Sequence, residues 1–231
     1  MILFCRCAYA DVLPASTRQQ VEGFLEGSGL PFAAVDDLCG LAARRDELLA
    51  RAAEAEDATI VACHPRAVRW LFHWAGFPLA AGKARILNMR TQSAEQIIAD
   101  LPQREAGRKD HAPSAAARPA DDEWVPWFPV IDYDRCADCK QCLNFCLFGV
   151  YAAEADGRVR VAAPAQCKLN CPACARLCPQ VAIIFPKYPQ GAISGDEVRD
   201  EDLQRSDLKV DVSKLSRGDL LDALRQRSRQ P

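Results

Sequence analysis

Over the first ninety residues, short apolar runs alternate with longer segments of helical periodicity. Ile2-Leu3-Phe4-Cys5, Phe32-Ala33-Ala34-Val35, Thr59-Ile60-Val61-Ala62-Cys63 and Ala84-Arg85-Ile86-Leu87 have the length and composition of buried strands. Ser16-Thr17-Arg18-Gln19 has capping-box spacing and predicts the start of an amphipathic helix carrying Val21, Phe24 and Leu25, which stops at Gly27-Ser28-Gly29. Leu41 to Glu54 predicts a single helix with Leu41, Leu48 and Leu49 on one side. Pro65 suits the first position of a further helix, which carries Val68, Leu71 and Phe72 and ends near Gly76. Residues 91–101 suggest a short helix. Strands that alternate with helices in this way predict an α/β domain with a small parallel sheet.

The pattern then changes. Residues 102–123 mix charge, alanine and proline with almost no large apolar side chain, so they bury too little to offset the entropy of ordering and predict a linker. Trp124 to Ile131 predicts an extended, aromatic-rich strand. Val150 to Val161 predicts a hairpin turning at Asp156-Gly157, and Val181 to Phe185 a closing strand. Residues 186–211 look irregular and acidic, and Ser216-Arg217-Gly218-Asp219 caps a last amphipathic helix with Leu220, Leu221 and Leu224 on one face. The expected organisation is an α/β cysteine-bearing domain at 1–101, a linker at 102–123, a small α+β domain at 124–188 and a tail at 189–231.

Composition narrows the function classes. A net charge of −2 provides no basic stripe for nucleic acid. No run approaches the roughly 18 apolar residues of a spanning helix. Met1-Ile2-Leu3-Phe4-Cys5 has neither a basic region before it nor a small-residue cleavage site after it, which argues against a secretory signal. Twelve cysteines in such a chain point to the reducing cytoplasm, where thiolates stay available for metal.

Eight of those cysteines lie between Cys136 and Cys178, in two groups of four. The first reads Cys136-Ala-Asp-Cys139-Lys-Gln-Cys142-Leu-Asn-Phe-Cys146, and the second Cys167-Lys-Leu-Asn-Cys171-Pro-Ala-Cys174-Ala-Arg-Leu-Cys178. Three closely spaced thiolates wrap three irons of one [4Fe–4S] cube, and the fourth crosses to the other cube. The crossing assigns Cys136, Cys139, Cys142 and Cys178 to one cluster, and Cys146, Cys167, Cys171 and Cys174 to the other. A disulfide framework would need an oxidising compartment and offers no reason for two such regular groups. Structural zinc uses two well-separated cysteine pairs and gives a third cysteine at the same short spacing no role.

On these residues, about 126–188 resembles the bacterial two-cluster ferredoxins. That resemblance implies a ferredoxin-like fold and low-potential transfer of single electrons. The sequence departs from the family pattern at three places. Three residues separate Cys167 from Cys171 where the family has two, Leu147 follows Cys146 where proline is frequent, and Lys140 stands where glycine is frequent.

The other four cysteines follow strand ends. Cys5 closes the first predicted strand and Cys7 comes two residues later; Cys39 follows the second strand and Cys63 ends the third. In a parallel sheet the carboxyl ends of all strands share one edge, where such sheets bind ligands. The four sulfurs could hold a third iron–sulfur cluster. Alternatively, Cys63 could be a redox thiol whose thiolate is favoured by the following helix N-terminus, or all four could be small buried residues. Cys5-Arg6-Cys7, Asp37-Leu38-Cys39 and Val61-Ala62-Cys63-His64-Pro65-Arg66 give residues 1–90 a resemblance to the N-terminal domain of the flavin-binding subunit of heterodisulfide reductase. In those proteins, the region is associated with an extra iron–sulfur cluster beside flavin and ferredoxin modules.

Other sites carry less. Gly76 to Ala84 lacks the spacing, the Ser or Thr and the preceding strand of a phosphate loop, and no GxGxxG follows a strand. Trp70, His73 and Trp74 suit a core or partner face. Arg66 and Arg69, in the first turns of their helix, could offset a nearby anionic cluster or simply be solvated. The leading expectation is an iron–sulfur electron-transfer protein, an accessory subunit to a flavin- or metal-containing oxidoreductase, rather than a stand-alone enzyme. The alternatives are an iron–sulfur redox sensor and a redox enzyme subunit of the heterodisulfide reductase type.

Overall fold

The computed structural model describes residues 1–102 and 124–204; nearly all of the expected linker and the expected terminal helix lie outside them. Strands β1 (Ile2–Cys5), β2 (Phe32–Val35), β3 (Ala58–Ala62) and β4 (Ala84–Asn88) form one parallel sheet in the order β2-β1-β3-β4. The register pairs Cys5 with Val35, Phe4 with Val61 and Ala62 with Asn88. The inner strands β1 and β3 are buried along their whole length, as strands covered on both faces must be. Helix α1 (Ala15–Ser28) packs with α5 (Ala94–Asp100), and α2 (Leu38–Arg44) with α4 (Pro65–Ala75). Right-handed crossovers place these pairs on opposite faces of the sheet.

Two local expectations are corrected. The helix expected from Leu41 to Glu54 is two helices, α2 and α3 (Glu47–Glu54). Arg45 adopts a left-handed conformation (φ 52°), and Asp46 accepts a 2.9 Å hydrogen bond from Leu48 N–H, so a side chain suited to capping restarts the chain. Helix α1 starts at Ala15, one residue before the expected capping box, and Ser16 makes no cap. The Pro14 carbonyl accepts from Arg18 N–H instead.

The cysteine-rich region is built from shorter pieces. Strand β5 (Val130–Ile131) pairs antiparallel with β8 (Ile183–Ile184), and β6 (Tyr151–Ala153) with β7 (Val159–Val161). The hairpin turn falls at the expected Asp156-Gly157, with Gly157 at φ 88°. Most of the expected strand from Trp124 does not pair, because Pro126 and Pro129 have no donor for a ladder. The closing strand shrinks as well, since Val181 is left-handed at φ 51°, where a β-branched residue cannot continue a strand. Helices α6 (Gln141–Phe145) and α7 (Ala173–Leu177) pack on each other, and a single turn, α8 (Asp200–Leu203), follows. Among the described residues, no helix is long and apolar enough to cross a membrane.

The two regions touch through specific contacts. Phe128, Val130 and Ile184 enter the hydrophobic core of the sheet region, and Phe128 lies 4.9 Å from the Trp74 ring. Arg66, in the first turn of α4, donates to the Asp132 carboxylate and to the carbonyls of Val181 and Ala192. Trp74 Nε1 donates to the Val161 carbonyl at 3.1 Å. Arg66, expected to offset a cluster or to be solvated, and Trp74, expected on a core or partner face, thus hold the other half of the same chain. The segment after β8 runs back over α4, where Gly195 (φ 98°) is required: a Cβ there would lie 2.5 Å from Ala67 Cβ.

Candidate metal centres

Helices α6 and α7 set the geometry of the eight C-terminal cysteines. Cys142 lies within α6 and Cys146 just past its end; Cys174 lies within α7 and Cys178 just past its end. Each helix therefore carries one cysteine of each expected ligand set, four residues apart on one face. Around Cys139 the chain turns sharply because Asp138 (φ 48°) and Lys140 (φ 61°) are both left-handed. Glycine would adopt the Lys140 conformation without strain, since it has no Cβ. Asn170 (φ 58°) absorbs the extra residue between Cys167 and Cys171; Asn tolerates this region better than most side chains.

Cys136, Cys139, Cys142 and Cys178 line one cavity together with the apolar Ile131, Val159, Ala182 and Ile183 and the polar Asp138, Lys140, Gln141 and Gln180; Cys139 is exposed. Burial pushes the Cys136 thiol up to about 11 and the Cys142 thiol up to about 12; Cys178 acts on both as a neighbouring charge. Cys174 is surrounded by Cys167, Cys146 and Cys171, and its thiol rises to about 12, chiefly through burial. Cys167, likewise raised to about 12, has Cys171 and Cys146 as its charged neighbours. Two donors aim at sulfur: Ala182 N–H reaches Cys178 Sγ at 3.3 Å and the Tyr151 hydroxyl reaches Cys174 Sγ at 3.0 Å. Soft sulfur donors, apolar neighbours and N–H or O–H groups directed at sulfur fit a thiolate-bound cluster. Among the described residues, no three or more His, Cys, Asp or Glu side chains are grouped as ligands of a single metal ion.

Beside this second set four large apolar side chains are exposed. Phe145, Phe148, Leu169 (52% exposed) and Leu147 (92% exposed) flank Cys146 and Cys167.

The structure also brings the four N-terminal cysteines together. Cys5 ends β1, Cys7 (φ 50°) lies just beyond it, Cys39 sits in the first turn of α2, and Cys63 separates β3 from α4. Strand order reverses between β1 and β3, so Cys5, Cys7 and Cys63 flank the switch point where doubly wound sheets bind their ligands. All four are buried. Burial raises Cys5 and Cys39 well above the ordinary thiol range, Cys7 to about 12 and Cys63 to about 11. The helix N-terminus expected to favour a Cys63 thiolate is outweighed by this loss of solvation. Leu38 N–H donates to Cys5 Sγ at 3.3 Å.

Sequence reading missed three charged residues at this site. Asp37 caps α2 through Gly40 N–H at 2.9 Å, and Lys187 Nζ lies 2.9 Å from the same carboxylate. Arg90, just beyond β4, donates to the carbonyls of Val12, Tyr188 and Pro189. Asp37 stood in the quoted Asp37-Leu38-Cys39 and had the signature of a helix cap; Lys187 and Arg90 carried no such signal. Asp37 Oδ1 and Arg90 Nη1 are buried without a hydrogen-bond partner.

No family model matches the chain, and no solved structure does. Among curated proteins, one named as an uncharacterized ferredoxin from Methanocaldococcus jannaschii is 49% identical over 63 residues, which is 27% of this chain and 42% of that protein. The chain thus spans less than half the length of that relative.

Proposed function

We propose that the protein is an iron–sulfur electron carrier with two [4Fe–4S] clusters, one on Cys136, Cys139, Cys142 and Cys178, the other on Cys146, Cys167, Cys171 and Cys174. The observation that carries this reading is the cavity lined by all four cysteines of the first set, with α6 and α7 each contributing to both sets. The partial likeness to a protein named ferredoxin supports it. A bound cluster supplies a reversible one-electron change spread over iron and sulfide. The chain's own groups hold and tune that change. Ile131, Val159, Ala182 and Ile183 give the first site an apolar side, while Ala182 N–H and Tyr151 Oη donate to ligand sulfurs and so favour the more negative, reduced state. The exposed apolar side chains beside the second site suit close approach of a redox partner, which we take to be a flavin- or metal-containing oxidoreductase served by this chain in a reducing compartment.

A second reading adds a third metal centre on Cys5, Cys7, Cys39 and Cys63. It is favoured by four buried sulfurs at a sheet switch point, with a lysine and an arginine beside them. The raised thiols weigh against free-thiolate chemistry there, because reactive cysteines sit where their thiolate is stabilised. A metal removes the proton outright.

Iron and acid-labile sulfide per chain, measured after anaerobic purification with Cys63→Ala alongside, test both readings. About eight of each, unchanged in the variant, supports two clusters alone. About twelve, falling to about eight in the variant, supports the third. Iron near zero after anaerobic reconstitution overturns the proposal.

A further inference from the structure

The strongest unexplained feature is the placement of buried positive charge at the N-terminal cysteines. Lys187 comes from the cysteine-rich region, 150 residues from Asp37, yet its side chain is 3% exposed and its ammonium sits among Asp37, Cys39 and Cys7. Arg90 is held by neutral carbonyls at 2.8 to 3.2 Å, and among the described residues no carboxylate lies within ion-pair distance of it. The acid in its electrostatic range is Asp196, which lies 3.6 Å from the His64 ring. Its remaining nitrogen, Nη1, is buried and unpartnered, and the other charges it senses are those of Cys63 and Cys7. Arg90 is partly withdrawn from water with no counter-ion beside it among the described residues, and that loss of solvation disfavours its charge. Four neutral thiols leave Arg90 uncompensated. A centre carrying net negative charge on the same four sulfurs removes the deficit.

We propose that Lys187 and Arg90 are positioning residues for an anionic metal–thiolate centre on Cys5, Cys7, Cys39 and Cys63, whose reduction potential they raise, with Lys187 supplying its charge from the cysteine-rich region. This rests on the third-centre reading above. The cations favour the oxidised centre over four protonated thiols, and they favour the reduced centre, one electron more negative, more strongly still. Asp37 Oδ2 accepts from both Gly40 N–H and the Lys187 ammonium, so it fixes the ammonium in place and offsets part of its charge.

The test is a redox titration of the full, reconstituted chain with dithionite, followed by electron paramagnetic resonance, with iron counted on the same samples. Lys187→Met is expected to make reduction of one centre about tenfold less favourable, a fall of about 59 mV for one electron, with the other two centres unmoved. Arg90→Gln shifts the same centre in the same direction. Lys187→Arg keeps the potential. Asp37→Asn with Lys187→Met removes one charge of each sign and returns the potential toward that of the parent, which a merely structural role does not predict. About eight irons in the parent chain overturns the third-centre reading and this inference with it. About twelve irons with no selective shift in either Lys187→Met or Arg90→Gln overturns this inference alone.

Discussion

The two cysteine-bearing regions hold their sulfurs in opposite ways. The N-terminal four stand on the edge of a parallel sheet whose core is its own: Leu3, Phe4, Ile60, Leu71 and Phe72 are fully buried without any contribution from metal. The C-terminal eight stand on loops and on two helices of five residues each, and most of them are partly exposed. The cysteines themselves pack on the small core of that region. Isolated five-residue helices are far below the length at which a helix is stable in water. A sheet edge can thus bring thiols together before anything binds, whereas under the proposed function the cysteine loops depend on the clusters their thiols hold.

Removing the metal is the sharpest way to break this comparison. Chelation under anaerobic, reducing conditions should release hydrogen exchange throughout α6, α7 and the β6–β7 hairpin and leave β1 and β3 protected; metal binding at structural thiolate sites is worth on the order of 10 kcal/mol. Equal loss of protection in β1 and β3 would contradict the contrast. The next effect in size concerns the join. Arg66→Ala leaves Asp132, 5% exposed at its side chain, as a buried charge without its partner and should cost about 3–5 kcal/mol in chemical denaturation. A split of the unfolding transition in that variant would show that Arg66 makes the two regions melt together.

Smaller changes sharpen the contrast within the cysteine-rich region. Tyr151→Phe removes the hydroxyl that donates to Cys174 Sγ, and should lower the potential of the cluster proposed on Cys174 by the equivalent of about 1 kcal/mol in a redox titration while leaving the one proposed on Cys136 unmoved. Lys140→Gly should stabilise the region by about 0.5–1 kcal/mol, read as a shift in denaturation midpoint. It relieves a left-handed side chain at a cost of about 1–2 kcal/mol and adds back the smaller entropy penalty of glycine.

What was legible beforehand was local or periodic. Apolar runs and helix periods announced the four parallel strands and most helices around them, and Asp156-Gly157 announced the hairpin. Errors arose where one residue overrode a pattern: Asp46 restarting a helix, Pro126 and Pro129 withholding donors, Val181 turning left-handed. The convergence of Cys5, Cys7, Cys39 and Cys63 was readable because parallel strands must end on one edge, a rule that needs no contact to be known. The Tyr151 bond to Cys174 was not, since a hairpin tyrosine looks the same whether it faces sulfur or solvent.

By itself, then, the sequence determined the element types, the cysteine spacings and the strand ends, because chain geometry over a few residues dictates them. The tertiary structure alone decided that Arg66 clamps Asp132, that the Val161 carbonyl receives Trp74, that Lys187 reaches Asp37 beside the N-terminal sulfurs, and that Arg90 reaches the Tyr188 carbonyl. Those contacts join residues 66 to 150 positions apart. Over such separations no spacing rule operates, and the partner of a buried charge is selected by packing and by the cost of leaving that charge without a counter-ion.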